Sequence, residues 1–95
     1  MKHAGPQTLA ALAPLLSEIR GQPGLVERTP GAFYRRSKAY LHFHEDAGGI
    51  FADIKLDGAA FTRLRVTTAD EQRQLLALVA EADGSPAPGR LKGSA

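Results

Sequence analysis

The sequence predicts a two-layer α+β domain, in which an antiparallel sheet of three or four strands carries N- and C-terminal helices on one face. Three observations lead to this fold class. Leucines recur at helical spacing near both ends of the chain, apolar and polar residues alternate through its centre, and glycine-containing turns separate the alternating stretches. Because the chain has 95 residues, we expect one domain over residues 1–83, followed by a disordered tail over residues 84–95.

The first helix is predicted in the segment QTLAALAPLLSEIRG, where Leu15, Leu16 and Ile19 recur at helical spacing and Gly21 stands just past the last of them. Pro14 interrupts this segment. Because proline removes one helical hydrogen bond and clashes with the preceding turn, either the helix is kinked there or a shorter helix has Pro14 in its first turn. Both alternatives bury the same three apolar residues.

The centre of the chain predicts the strands. After two Pro-Gly turn signals, a short extended piece is expected around Phe33 and Tyr34, and RRSK is typical of a tight turn. AYLHFHE and GIFADIKL then alternate on either side of the hairpin signal DAGG, with Leu41, Phe43 and Ile54 facing inward. FTRLRV follows the turn signal Asp57-Gly58 as a third alternating strand.

The last helix is predicted in TTADEQRQLLALVAEA. Thr68 and Glu71 have the spacing of a capping box, and Asp70 would lie near the positive end of the helix dipole. The remaining segment, DGSPAPGRLKGSA, has too few apolar residues to pack and is typical of a disordered tail.

The strand register follows from which side chains must be buried together, because a slip of one residue moves every side chain to the other face. This condition pairs His42 with Asp53 in the first hairpin. In the second hairpin it pairs Ala52 with Leu64, which requires a three-residue loop over residues 57–59 and places Arg63 opposite Asp53. A two-residue turn would bury unpaired guanidinium groups at a cost of several kcal/mol.

The polar face of the sheet is therefore predicted to carry the candidate binding residues, with Lys55 beside them. These residues are Tyr40, His42, His44, Phe51, Asp53, Phe61, Arg63 and Arg65. The turn before the central strands adds a basic group made of Arg35, Arg36 and Lys38.

Composition excludes several classes of function. The chain has no cysteine, which excludes disulfides, thiolate metal sites and thiol nucleophiles. The net charge of +2 is too small to indicate a polyanionic partner by itself. No apolar run approaches the length of a membrane span and no signal pattern is present at the N-terminus, so we expect a cytoplasmic protein without membrane contact.

Four hypotheses fit the polar face. The first is a non-enzymatic binding or interaction module, in which either a second copy of the chain, as a homodimer, or the N-terminal segment covers the exposed aromatic residues. Stacking aromatic residues among basic ones would instead suit a nucleic acid. A third hypothesis is a metal or small-ligand site on His42, His44 and Asp53. The fourth, catalysis by His42 with Asp53, lacks an evident nucleophile, so we expect no enzyme and no cofactor.

The stretch PGLVERTPGAFYRRSKAYLHF and the later GGIFADIKLD resemble the MmcQ/YjbR-like family of small bacterial proteins. The shared elements are Pro23-Gly24, Phe33 with Lys38, and Lys55-Leu56. This resemblance implies a compact helix–antiparallel sheet–helix domain that is sometimes proposed to bind DNA and has no established enzymatic activity.

Overall fold

The computed structural model describes residues 2–82 of the chain. The elements in chain order are β1 (Lys2–His3), α1 (Pro6–Ala11), α2 (Ala13–Arg20), β2 (Leu25–Thr29), β3 (Ala32–Arg35), β4 (Lys38–Asp46), β5 (Gly49–Ile54), β6 (Thr62–Arg65) and α3 (Ala69–Ala82). The predicted tail over residues 84–95 lies outside the described residues.

The predicted α+β class is confirmed, but the predicted number of strands is too low. Within residues 2–82, six strands form one antiparallel sheet in the order β2-β3-β4-β5-β6, and β1 pairs with β4 outside this path. The two additional strands, β1 and β2, have no clear alternating pattern in the sequence. β1 has only two residues, both exposed, and β2 (LVERT) buries none of its residues fully.

The two additional strands are held by polar contacts that sequence patterns do not show. In β2, Glu27 accepts hydrogen bonds from the Arg20 side chain at the end of α2 and from the backbone N–H of Gly31 in the next turn. β1 pairs with the second half of β4, whereas β3 pairs with the first half. Because β5 occupies the other edge of β4, β1 and β3 lie end to end along one edge with a gap between them.

The helices pack on one face of the sheet, as predicted. Their buried side chains belong to the same hydrophobic cluster as the inward side chains of the strands. The cluster contains Leu12, Leu15, Leu16 and Ile19 from the α1–α2 region, Leu75 and Val79 from α3, and Phe33, Leu41, Phe43, Ala52, Ile54 and Val66 from the sheet. Within residues 2–82, no helix is long and apolar enough to cross a membrane.

The N-terminal helical segment is two short helices. The chain leaves the first helix at Leu12, and Pro14 lies in the first turn of α2. This is the second of the two predicted alternatives, and it suits proline because the first-turn N–H groups have no partner inside a helix. Leu15, Leu16 and Ile19 are buried as predicted.

The register predicted for the central hairpins is confirmed at the pairs that β4, β5 and β6 form. Leu41 lies opposite Ile54 and Ala52 opposite Leu64. The loop of the second hairpin is longer than the predicted three residues, because β5 already ends at Ile54 and β6 begins at Thr62. The Asp57 carboxylate accepts hydrogen bonds from the backbone N–H groups of the two alanines at 59 and 60, which stabilises a local turn in the loop.

The capping box of α3 is confirmed. Glu71 N donates to the Thr68 hydroxyl at 3.1 Å, and Thr68 N donates to Glu71 Oε1 at 3.0 Å. The same carboxylate accepts two hydrogen bonds from Arg65. These donors hold the pKa of Glu71 below its usual value, mainly through the hydrogen bond from Thr68.

Candidate functional site

The polar face places a histidine, an aspartate and an arginine side by side on three neighbouring strands. His42 on β4 is directly opposite Asp53 on β5, and Asp53 is directly opposite Arg63 on β6. This confirms the row predicted from strand register. Since opposed residues in an antiparallel sheet have Cβ atoms about 5 Å apart, Asp53 can interact with both neighbours.

Both oxygens of the Asp53 carboxylate accept hydrogen bonds from Arg63. Arg63 Nε donates to Oδ1 at 2.7 Å, and Arg63 Nη2 donates to Oδ2 at 2.8 Å. Asp53 is only 8% exposed, and the hydrogen bonds from Arg63 hold its pKa below the usual value. His44 Nε2 lies 3.1 Å from Asp53 Oδ2 on the other side. Both carboxylate oxygens are therefore already paired with neighbouring side chains, which disfavours the hypothesis that Asp53 binds a metal ion directly.

A histidine cluster, made of His3, His42 and His44, lies beside this carboxylate. His42 and His44 point to the same face of β4, with ring centroids 4.7 Å apart. His3 arrives through β1, where it is directly opposite His44. Its ring centroid lies 4.8 Å from that of His44 and 5.9 Å from that of His42. The chain contains three histidines, and all three meet here.

One backbone–backbone hydrogen bond and one hydrogen bond to a carboxylate fix the segment that carries His3. Ala4 N donates to Phe43 O at 3.1 Å, continuing the pairing of β1 with β4. Gly5 N donates to Glu45 Oε2 at 2.6 Å, so the chain turns from β1 into α1 against the end of β4. These contacts hold His3 over the polar face even though it is near the start of the chain.

Several imidazole nitrogens of the histidine cluster are buried without a hydrogen-bond partner among residues 2–82. They are Nδ1 of His42 and Nδ1 of His44. Nε2 of His44 also makes no well-aligned hydrogen bond, but it lies at ion-pair distance, 3.1 Å, from Asp53 Oδ2. Burial lowers the pKa of His42, and the nearby His44 lowers it further. Both effects favour the neutral form of the His42 ring, in which one nitrogen can donate and the other can accept a hydrogen bond.

The aromatic and basic residues of the polar face contact one another. Phe61 packs edge-on against His42 with ring centroids 4.9 Å apart, and Lys55 Nζ lies 4.8 Å from the centre of the Phe61 ring. Phe61 is 41% exposed, and Phe51 on β5 is half-buried. Arg65, like Arg63, is paired with a carboxylate. Both arginines of the predicted nucleic-acid surface are thus neutralised, which weakens the case for phosphate binding.

The prediction that Tyr40 belongs to the polar face is wrong. Phe33 is opposite Leu41 whereas Tyr34 is opposite Ala39, so Tyr40 is an extra residue in the β3–β4 ladder. Such a bulge changes the direction of the side chain. Tyr40 is 4% exposed and belongs to the hydrophobic core.

The predicted basic turn does not present its three cations together. The tight turn itself is confirmed, with Arg36 and Ser37 at positive φ between the paired residues Arg35 and Lys38. Arg35 folds back so that its guanidinium lies 4.5 Å from the centre of the Tyr40 ring. Arg36 and Lys38 are exposed.

A cleft of about 490 Å³, which we call the sheet-gap cleft, opens where β1 and β3 fail to meet along β4. Its walls include Leu9 of α1 and the core side chains Phe33, Leu41 and Phe43. The polar residues that line it are His3, Thr29, Tyr34 and His42. The cleft thus reaches from the hydrophobic core to the histidine cluster. None of the described residues that line it is Asp, Glu, Lys or Arg.

Sequence reasoning missed His3 as a site residue. The residue lies in MKHAGP, a short polar segment without alternation, and a two-residue strand leaves no periodic signal. The only available signal was the number of histidines. The chain has three, and two of them, at positions 42 and 44, already belonged to the predicted site, which left His3 as the third.

The comparisons with known proteins identify no relative: no family model matches the chain, and no curated protein and no solved structure matches it either. The resemblance to the MmcQ/YjbR-like family therefore stays a prediction.

Proposed function

We propose that the protein is a non-enzymatic binding module for a small, mostly apolar molecule with an uncharged polar head. The body of this molecule fills the sheet-gap cleft, and its head contacts His42. The observation that supports the proposal is the cleft itself, which connects the hydrophobic core to the histidine cluster. Its volume of about 490 Å³ falls within the usual range of about 300–1,000 Å³ for small-molecule sites.

The apolar body of the ligand follows from the walls of the cleft. Phe33, Leu41 and Phe43 are all at most 3% exposed to solvent as part of the core, and they also line the cleft. The partly buried Leu9, Ala32 and Ala39 also line the cleft. A ligand that displaces water from them gains about 25 cal/mol for each Å² of apolar surface removed from water. Polar or highly charged molecules have no comparable gain there.

The uncharged head of the ligand follows from the lack of charged side chains among the described residues that line the cleft. No charged side chain of the described residues lines the cleft, so a carboxylate or ammonium head would lose hydration without gaining an ion pair. The lowered pKa of His42 favours the neutral form of its ring. A neutral imidazole can donate to a carbonyl group or accept from a hydroxyl group, which favours alcohols, phenols and ketones.

The test compares three ligands that share one body and differ in the charge of the head: 2-phenylethanol, phenylacetate and phenethylammonium. With about nine non-hydrogen atoms at about −0.5 kcal/mol each, the neutral compound should bind with a Kd of about 0.5 mM. Binding is followed by amide chemical shifts in ¹⁵N-labelled protein with EDTA present. The neutral compound should bind most tightly, and its shifts should map to the strands around the cleft.

A matched pair of variants decides whether the cleft is the site. Ala39 lines the cleft, so Ala39→Leu fills part of it, whereas Ala60 is exposed in the β5–β6 loop and Ala60→Leu adds the same atoms elsewhere. Binding should be lost in Ala39→Leu and kept in Ala60→Leu. Equal binding by both variants, or tighter binding of a charged compound, would contradict the proposal.

A further inference from the structure

We propose that the histidine cluster is a binding site for a divalent transition-metal ion, with His3, His42 and His44 as three nitrogen ligands. The inference goes beyond the proposed function, since it needs neither the cleft nor an organic ligand. The nitrogen atoms that the three residues offer lie within 4.8 Å of one another. All three rings come from two paired strands, so a single ion can reach them together.

The distances require a modest closure of the cluster. A zinc ion bound to imidazole nitrogens at 2.0–2.1 Å in tetrahedral geometry places those nitrogens about 3.4 Å apart. His42 and His44 are fixed within the long strand β4, whereas His3 is exposed on the two-residue strand β1. A rotation of the His3 side chain is therefore the simplest movement that brings the third nitrogen to the ion.

The buried nitrogens supply the second argument. Nδ1 of His42 and Nδ1 of His44 have no hydrogen-bond partner among residues 2–82, and His44 as a residue is 9% exposed. Buried polar atoms are normally satisfied, and an unsatisfied one calls for an explanation such as an ion or a water molecule. Three imidazole nitrogens form a ligand set that suits Zn²⁺, Ni²⁺ and Cu²⁺ rather than Mg²⁺ or Ca²⁺.

The surroundings of the histidine cluster are compatible with a cation. Arg63 is the nearest guanidinium on the row, and its charge is balanced by the two hydrogen bonds to Asp53. Asp53 Oδ2 lies 3.1 Å from Nε2 of His44, which leaves Nδ1 of that ring for the ion. A carboxylate behind a ligating histidine commonly orients the ring and raises its basicity. We therefore assign Asp53 the part of a positioning residue and not of a ligand.

Zinc binding is measured by calorimetry on the full chain without an affinity tag, at pH 7.5 after treatment with EDTA. We expect one equivalent of zinc per chain. His3→Ala should weaken zinc binding by about 100-fold, and the neighbouring exposed change Lys2→Ala should leave it unchanged. Asp53→Asn should weaken zinc binding by about 10–100-fold, as changes behind a ligand do. His3 lies on an exposed strand, so its variant should keep the melting temperature of the metal-free protein.

Two further readouts separate this site from adventitious binding. Because the chain has three histidines, ¹H–¹⁵N spectra of their side chains report only on this cluster, and all three rings should shift together at one equivalent of zinc. Co²⁺ should give the intense visible absorption of a tetrahedral site. Binding that His3→Ala leaves unchanged, or shifts confined to one or two rings, would overturn the inference.

The cleft variant keeps the two proposals apart. Ala39→Leu should abolish binding of 2-phenylethanol while zinc still binds with the affinity of the unchanged protein. Loss of zinc binding in Ala39→Leu would overturn the assignment of zinc to the three imidazoles alone. If zinc binds and 2-phenylethanol does not, the metal inference stands and the proposed function fails.

Discussion

Replacing Ile54 by alanine tests the core that supports the polar face. Ile54 is the last residue of β5, is fully buried, and lies directly opposite Leu41, which is also fully buried. Its neighbour in the strand is Asp53, so the position of Ile54 also determines how the row of His42, Asp53 and Arg63 is presented.

The expected loss of stability can be worked from the atoms removed. Isoleucine has three more carbon atoms than alanine, and each is worth about 0.8 kcal/mol on burial, which gives about 2.4 kcal/mol. Because the surrounding β-sheet and helices relax only partly, the cavity raises the total towards about 4 kcal/mol, within the observed range of about 2–5 kcal/mol. A domain of 95 residues has a total stability of about 5–14 kcal/mol. Ile54→Val, with an expected loss of about 0.5–1.5 kcal/mol, provides a milder step.

Leu56→Ala is the matched control, because the alternating pattern places Leu56 on the same face as Ile54 whereas the structure leaves it 38% exposed after the strand has ended. We expect a loss below about 1 kcal/mol for this change. Urea titration followed by circular dichroism gives the free energy of unfolding of all three variants. A loss below about 0.5 kcal/mol for Ile54→Ala, or equal losses for Ile54→Ala and Leu56→Ala, would refute the assignment of the core.

Three further predictions concern charge and backbone conformation. In metal-free protein, Asp53→Asn should lower the pKa of His42, because it removes a neighbouring negative charge and leaves the charge of Arg63 unbalanced. NMR titration of the His42 ring measures this pKa. An unchanged midpoint would contradict the row of His42, Asp53 and Arg63. Because the folded pKa of Asp53 lies below its ordinary value, its stabilising contribution is full above the unfolded pKa and is lost as the pH falls through the folded one. Asp53→Asn should therefore flatten the loss of stability below about pH 4, and urea midpoints that fall in parallel for both proteins would contradict this. Ser37 has a φ of 68° in its two-residue turn, a left-handed conformation that glycine adopts more easily than serine. Ser37→Gly should therefore stabilise the protein by about 0.5–1 kcal/mol, seen as a higher urea midpoint at constant slope. No gain would mean that the turn is not strained.

The sequence by itself determined the strand register at the centre of the molecule. Apolar and polar residues alternate with a period of two, and burial of Leu41 with Ile54 allows one parity of pairing. That parity is enough to place His42, Asp53 and Arg63 in one row, which the structure confirms. The capping box of α3 could also be predicted from the sequence, because it depends on two side chains three residues apart.

The tertiary structure decided which side chains complete the site. Tyr40 leaves the polar face because a bulge against β3 interrupts the alternation, and a bulge depends on how two strands meet rather than on either sequence. His3 joins His44 across a pairing that spans 41 positions of the chain, between a strand of two residues and one of nine. Local periodicity carries no information about contacts at that separation, because they form only when burial of the core has already brought the two segments together.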